Sequence, residues 1–220
     1  MVVHMRGIDS VVDRLEVLLA KSNGRLIVGL VGKPGAGKST VAEELRDRMK
    51  LEDMVVIPMD GYHLSQKVLE HQGIANRKGA PDTFDVKGFV SLLRRIRTEV
   101  ESTIYFPIFH REIEDSVAAE GFILPESKLI IVEGNYLLTR TDGWAEVGAL
   151  LDESWYLEVD DELRLNRLIT RHASYGKSPQ EAKSWAEGSD ERNAEIVVDS
   201  SSLADGIIYL LSDDKEEDSL

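Results

Sequence analysis

The chain has 220 residues, 42% hydrophobic and 30% charged, enough for one α/β domain with a full core and short for two. A net charge of −14 argues against a broad basic face for nucleic acid and against attraction to anionic lipid. The absence of cysteine removes disulfides, thiolate catalysis and Cys-ligated zinc; no long apolar run or leader pattern is present, so the expected location is cytoplasmic, off the membrane.

The first expected element is an amphipathic helix. Ile8, Val11, Val12, Leu15, Leu18 and Leu19 recur at helical spacing, with Asp9 or Ser10 as N-cap and Asn23-Gly24 at the end. Its role is packing. Leu26, Ile27, Val28, Leu30 and Val31 then form an apolar, β-branched run, the pattern of a strand buried on both faces. Gly32-Lys33-Pro34-Gly35-Ala36-Gly37-Lys38-Ser39 follows and fits G-x-x-x-x-G-K-[ST]. After Thr40, the apolar residues Val41, Ala42, Leu45 and Met49 open a helix. Strand, glycine-rich turn and helix in this order are the context of a phosphate loop. Glycines let backbone N–H groups approach phosphate oxygens, and the helix N-terminus adds positive charge. Lys38 would reach the β- and γ-phosphates, and the Ser39 hydroxyl would ligate Mg²⁺. The loop names a phosphoryl donor and is silent on the acceptor.

Met54 to Met59 reads as a second buried strand ending in Asp60-Gly61-Tyr62-His63. Ligands of open parallel sheets sit beyond the carboxyl ends of strands, which puts Asp60 near the loop as a base or a metal-binding carboxylate rather than only a turn former. Residues 71–85 form a long loop in which Arg77 and Lys78 bring positive charge to substrate, to phosphate or merely to solvent. Asp85 caps a helix with Val86, Phe89, Val90, Leu93 and Ile96 on its apolar face. Ile104 to Phe109 contains Pro107 and reads as an edge strand or a bend, followed by His110-Arg111 and a polar stretch to Gly121. His110 is either structural or a substrate contact, and its neighbour Arg111 favours contact.

Lys128 to Val132 is another buried strand, closing on Glu133, an acid placed to order Mg²⁺. Ser154 to Val159 is the next, after which Asp160 or Asp161 caps a helix with Arg164, Arg167 and Arg171 on one face. These arginines are either salt-bridge partners or a lid over the transferring phosphoryl group. Residues 172–180 read as a hinge, a polar helix runs to about Gly188, and the following helix points Asn193 toward the site. Gly206 to Leu210 is a last strand, and residues 213–220 form an acidic tail expected to be disordered.

The motifs GKPGAGKST, MDGYHL, RKGAPDTFD, FPIFHREIEDSVA and IIVEGNYLL together resemble the phosphoribulokinase, uridine kinase and type I pantothenate kinase superfamily. The nearest resemblance is to a bacterial nucleoside/nucleotide kinase branch that includes fructose transport system kinases. The resemblance implies a P-loop, mononucleotide-kinase-like three-layer α/β/α fold in a single domain over residues 1–212, with a helical lid at about 164–190. It implies ATP and Mg²⁺, with transfer of the γ-phosphoryl to a hydroxyl. On the matching positions, Asp60 is the base and Glu133 helps order the metal. The RKG loop (Arg77, Lys78) with Tyr62, His63, His110 and Arg111 borders the acceptor, and Arg167 and Arg171 approach the phosphates. Where uridine kinases carry a DSFY-like motif, this chain has Asp60-Gly61-Tyr62-His63, closer to the DGF of pantothenate kinases. The acceptor expected is a sugar such as fructose, a nucleoside or a pantothenate-like hydroxy acid. The alternative is a nucleotide-dependent regulatory ATPase without a small acceptor. A homodimer is compatible with either.

Overall fold

The structure is a computed structural model that describes residues 2–51 and 53–210; the acidic tail lies outside the described residues. In chain order the elements begin with β1 (Val3–Arg6), α1 (Gly7–Lys21), β2 (Leu26–Val31), α2 (Lys38–Met49) and β3 (Met54–Pro58). They continue through α3 (Gln66–Gln72), α4 (Val86–Thr98), β4 (Ile104–His110), β5 (Asp115–Ile123), β6 (Leu129–Gly134) and α5 (Ala145–Gly148). The last are β7 (Glu153–Glu158), α6 (Asp161–Ser174), α7 (Pro179–Trp185), α8 (Glu191–Ser201) and β8 (Gly206–Tyr209).

Six parallel strands form the central sheet in the order β1-β8-β7-β2-β6-β3. Every residue of β2 and β6 is buried, as continuous apolar runs require when helices cover both faces. One face packs Ile27, Val31, Ile57, Ile130 and Val132 against α4 and an aromatic group of Phe84, Phe89, Tyr136 and Trp144. The other packs Val28, Leu30, Ile131 and Trp155 against Val11 and Leu15 of α1 and Val41 and Leu45 of α2. The result is the expected three-layer α/β/α arrangement, with the phosphate loop leaving the middle of the sheet.

Several elements differ from the reading of the sequence. β1 arises by pairing with β8, a partner some 200 residues away that no local pattern announces. Helix α1 starts earlier than expected, so Asp9 and Ser10 lie in its first turn; Ser10 Oγ donates to Gly7 O at 2.8 Å instead of capping. The polar stretch after His110 is the strand β5, which pairs antiparallel with β4 in a separate two-stranded ribbon. Pro107 marks an irregularity in that ribbon, where the register shifts between Phe106 and Ile108. The polar helix ends at Trp185, and one π-helical turn, Ala186–Asp190, joins it to α8.

Candidate active site

The phosphate loop is built against α6. Gly35 has φ +80, and a Cβ there would fall 2.7 Å from Leu168 Cγ and 2.8 Å from Arg164 O. Only glycine permits that contact and that backbone. The Lys33 ammonium meets Asp161 Oδ1 at 2.5 Å, and Arg167 Nη1 donates to Ala36 O at 3.4 Å. Loop and α6 are thus joined through side chain and backbone along two helical turns.

Lys38 Nζ donates to Gly32 O at 2.9 Å, Lys33 O at 3.2 Å and Asn135 Oδ1 at 2.7 Å. Burial brings its pKa down to about 8, against the pull of the Glu133 and Asp60 carboxylates. Ser39 Oγ donates to the Glu133 carboxylate, lying 2.8 Å from Oε1 and 3.0 Å from Oε2. Glu133 is itself buried, and this burial pushes its pKa up despite the nearby Lys38 charge.

Parallel pairing places Pro58 beside Glu133, and the chain past β3 turns through a 3₁₀ helix, Met59–Tyr62, that carries Asp60. Gly61 lets this turn lie under β4, since a Cβ would fall 2.1 Å from Pro107 O. The close seating brings Arg111 Nη2 to 3.1 Å from Asp60 Oδ2. Burial works to raise the Asp60 pKa, but His63, Arg111, Lys38 and Arg171 together hold it below the ordinary carboxylate range. His63 donates from Nδ1 to Asp60 O at 2.8 Å, and its ring lies 4.1 Å from Phe84 and 4.8 Å from Phe109 between centroids. Burial lowers the His63 pKa, which favours a neutral ring with Nε2 as acceptor. Lys78 Nζ bonds Glu114 O at 2.5 Å and sits 5.4 Å from the Phe109 ring centre.

One cleft of about 520 Å³ collects Pro34, Gly35, Gly37, Lys38, Ser39 and Thr40 from the loop, with Asp60, Glu133, His63, Lys78 and Arg111 facing them and Arg167 and Arg171 from α6. Burial lowers the Arg171 pKa, and the adjacent Arg111 charge lowers it further. Lys33 and the buried Ala36 and Gly32 shape the loop from behind. Three of the six acceptor-side candidates do not line the cleft. Tyr62 packs its ring 5.1 Å from Phe89 in the core, Arg77 pairs with Asp82 at 2.8 Å, and His110 Nε2 meets Glu120 at 2.6 Å on the outer ribbon. Arg164 also separates from its neighbours: it is fully buried and bonds Asp161 Oδ1 at 2.9 Å and Glu191 Oε2 at 2.5 Å.

Other cleft residues escaped the sequence reading. Asn135 lines the cleft two residues beyond Glu133. The His172–Asp190 pair, 2.7 Å apart, joins residues eighteen positions apart in the chain, and the π-helical turn brings Asp190 inward. Trp185, with Lys177 Nζ 4.6 Å from its ring centre, and Tyr175 complete that wall. Asn193 lines the cleft as expected. No helix among the described residues is long and apolar enough to cross a membrane.

A donor loop at one wall, acids at two adjoining strand ends and arginines closing from a helix are the layout of the P-loop kinases. Residues 28–197 match the family described as AAA domain, and the chain belongs to it; its relatives include proteins named uridine kinase and pantothenate kinase. A Schizosaccharomyces pombe protein provisionally named uridine kinase C227.14 is 34% identical over 168 residues, covering 73% of this chain and 72% of its own. The pantothenate kinase of Enterococcus faecalis is 29% identical over 142 residues, but only 46% of that longer protein is covered. The crystal structure of a Silicibacter sp. TM1040 protein, provisionally named a fructose transport system kinase, superposes with a TM-score of 0.82 at 34% identity, covering 91% of this chain and 98% of that one. The chain is a small-molecule kinase, a phosphotransferase with an alcohol group as acceptor.

Proposed function

We propose that the protein transfers the γ-phosphoryl group of ATP to an alcohol group of a small metabolite bound between the Asp60 turn and α6–α7. The observation that carries this reading is the meeting of Lys38, the Ser39–Glu133 pair, Asp60 and Arg111 in one cleft.

In this reading the loop N–H groups and Lys38 bind the β- and γ-phosphates, and Arg167 and Arg171 bind the transferring group from the other side. Asp60, kept ionised by its cationic neighbours, accepts the acceptor hydroxyl's proton. Neutral His63 accepts a second hydroxyl of the acceptor and fixes its orientation. A hydroxyl and a carboxylate are hard oxygen donors, and so few protein ligands suit an ion that keeps water and phosphate in its shell. Ser39 and Glu133 would therefore hold Mg²⁺, which when bound neutralises charge on the phosphates. Asp60, next to them in the cleft, is better used as the base because Arg111 already engages it.

The names of the relatives point to a sugar, a nucleoside or a pantothenate-like acid as acceptor. The test is ADP release from Mg-ATP with D-fructose, uridine and pantothenate supplied one at a time. Release that depends on one of them supports the kinase reading and names the acceptor. Release at the same rate with every compound and with none is the behaviour of a regulatory ATPase and overturns it.

A further inference from the structure

We infer that Asn135 is a positioning residue whose amide oxygen is the exchangeable ligand of the Lys38 ammonium, surrendered when a nucleotide phosphate binds. The inference rests on the nucleotide-binding reading of the loop.

An ammonium has three N–H donors and no acceptor. Lys38 has three acceptors in place: Gly32 O at 2.9 Å, Lys33 O at 3.2 Å and Asn135 Oδ1 at 2.7 Å. Because Lys38 only donates, the amide oxygen of Asn135 is the atom that must face it. The ammonium is therefore saturated by protein, and a phosphate oxygen can enter its shell only by replacing one of the three.

The three ligands are unequal in their freedom to leave. Gly32 O and Lys33 O are backbone atoms of the loop itself. Lys33 O also accepts from Ala36 N at 3.1 Å, and the loop is clamped on α6 by the close approach of Gly35 to Leu168. Displacing either carbonyl would mean remodelling the backbone that must cradle the phosphates. Asn135 follows the end of β6, lines the cleft and reaches Lys38 through a side chain with two rotatable bonds. A phosphate oxygen is also a stronger acceptor for an ammonium than a neutral amide. Exchange at Asn135 thus costs one side-chain rotation and returns a charge-assisted bond.

The neighbouring register gives the exchange a place in the site. Glu133 holds Ser39 while Asn135, two residues on, holds Lys38, so one tripeptide at the end of β6 keeps both reactive side chains of the loop in order. Asn135 holds the ammonium over the loop before nucleotide arrives, and the strength of its bond is subtracted from the nucleotide's affinity.

The decisive experiment is calorimetric titration with ADP in the absence of acceptor, on the full chain and on Asn135→Ala, Asn135→Asp and Lys38→Ala backgrounds, with each variant's thermal midpoint measured beside it. Asn135→Ala is expected to bind ADP more tightly, by about 10-fold or more, since one competing hydrogen bond to a charged group is gone. Asn135→Asp, nearly the same shape, is expected to bind about 10-fold or more weakly, because the carboxylate holds Lys38 harder and repels phosphate. In Lys38→Ala the Asn135→Ala change should have no effect on affinity. Weaker or unchanged binding in folded Asn135→Ala, while the unaltered chain binds ADP, overturns the inference alone. Parallel weakening in the alanine and aspartate variants would make Asn135 purely structural and also overturns it. Failure of the unaltered chain to bind ADP overturns the nucleotide reading, and the inference falls with it.

Discussion

Arg111 Nη2 and Asp60 Oδ2 are 3.1 Å apart, yet the two residues stand fifty-one positions apart, one on the turn after β3 and the other just past the end of β4. The contact exists because the β4–β5 ribbon is pressed onto the turn after β3, where Gly61 leaves room for Pro107 O. Arg111 engages one carboxylate oxygen and helps keep Asp60 ionised, which is the form a base needs. Asp60 Oδ1 has no hydrogen-bond partner among the described residues and so remains available to an acceptor hydroxyl.

Replacing that base should separate chemistry from binding. Asp60→Asn keeps the shape and removes the proton acceptor, so kcat with the true acceptor should fall by about 10²- to 10⁴-fold. ADP affinity should stay within about 3-fold, because the loop donors and Lys38 are untouched. Steady-state kinetics beside ADP titration measures both; an Asp60→Asn enzyme with full turnover would remove Asp60 from the mechanism.

Arg164 and Arg167 share a helix face but not a job. Arg164 is fully buried and joins Asp161 to Glu191, so Arg164→Met should lower stability by about 2 kcal/mol through the loss of its charge-assisted hydrogen bonds to both acids. Its carboxylate partners are partly exposed and can recover water, which keeps the loss below that of a wholly buried pair. Arg167→Met should leave the thermal midpoint nearly unchanged and reduce kcat by about 10²-fold or more, the scale of a lost charge-stabilising donor. Thermal denaturation and kinetics on the two variants should therefore give opposite patterns.

The same pair shows where the sequence was informative and where it stopped. The phosphate loop was legible because its requirements are local: a buried strand, glycines at fixed offsets and a helix start. Asp60 and Glu133 were legible because apolar strands end on them. Helical spacing put Arg164, Arg167 and Arg171 on one side, but it cannot say which lies under the neighbouring α8 and which over the cleft. His110 stands next to Arg111 at the end of β4, where alternation sends the two side chains to different surfaces; Tyr62, a candidate through the resemblance, sits on the same 3₁₀ turn as Asp60, which rotates its ring onto Phe89 instead of into the cleft. β5 was hidden because Ala118, Ala119 and Glu120 are exposed and carry no alternation, and β1 because its partner is β8. Asn135 and the His172–Asp190 pair depend on tertiary contacts that no local pattern encodes.

Gly35→Ala tests how tightly the loop is seated. The new methyl would lie 2.7 Å from Leu168 Cγ and 2.8 Å from the backbone O of Arg164, at a φ of +80 that L side chains rarely adopt. Loop or helix must shift, and a loss of about 1–3 kcal/mol is expected from the strain and overpacking together. ADP affinity should fall with it, since the N–H groups that face phosphate move with the loop. Denaturant unfolding and ADP titration check both, and a fully stable Gly35→Ala protein would show that α6 yields freely.

The Lys33–Asp161 ion pair predicts a pH-dependent component of stability. The hydrogen bond from Lys33 holds the Asp161 carboxyl below its ordinary pKa; partial burial opposes this and the Arg164 hydrogen bond reinforces it. A carboxyl with a depressed folded pKa binds fewer protons folded than unfolded, so stability rises with pH across the interval between the two values. The contribution is fully present above the unfolded aspartate value of about 3.9 and disappears as pH falls through the lower folded value. The thermal midpoint of the unaltered chain should therefore exceed that of Asp161→Asn by a constant margin above about pH 5, and the margin should close in more acidic buffer. Asp161 is largely exposed, so the margin should also shrink as salt is raised at neutral pH. Lys33→Met should lose the larger part of this margin, because it removes the principal partner and leaves the Arg164 bond. A margin that persists unchanged into acid would mean that Asp161 supports the loop through its N-terminal place on α6 rather than through its charge.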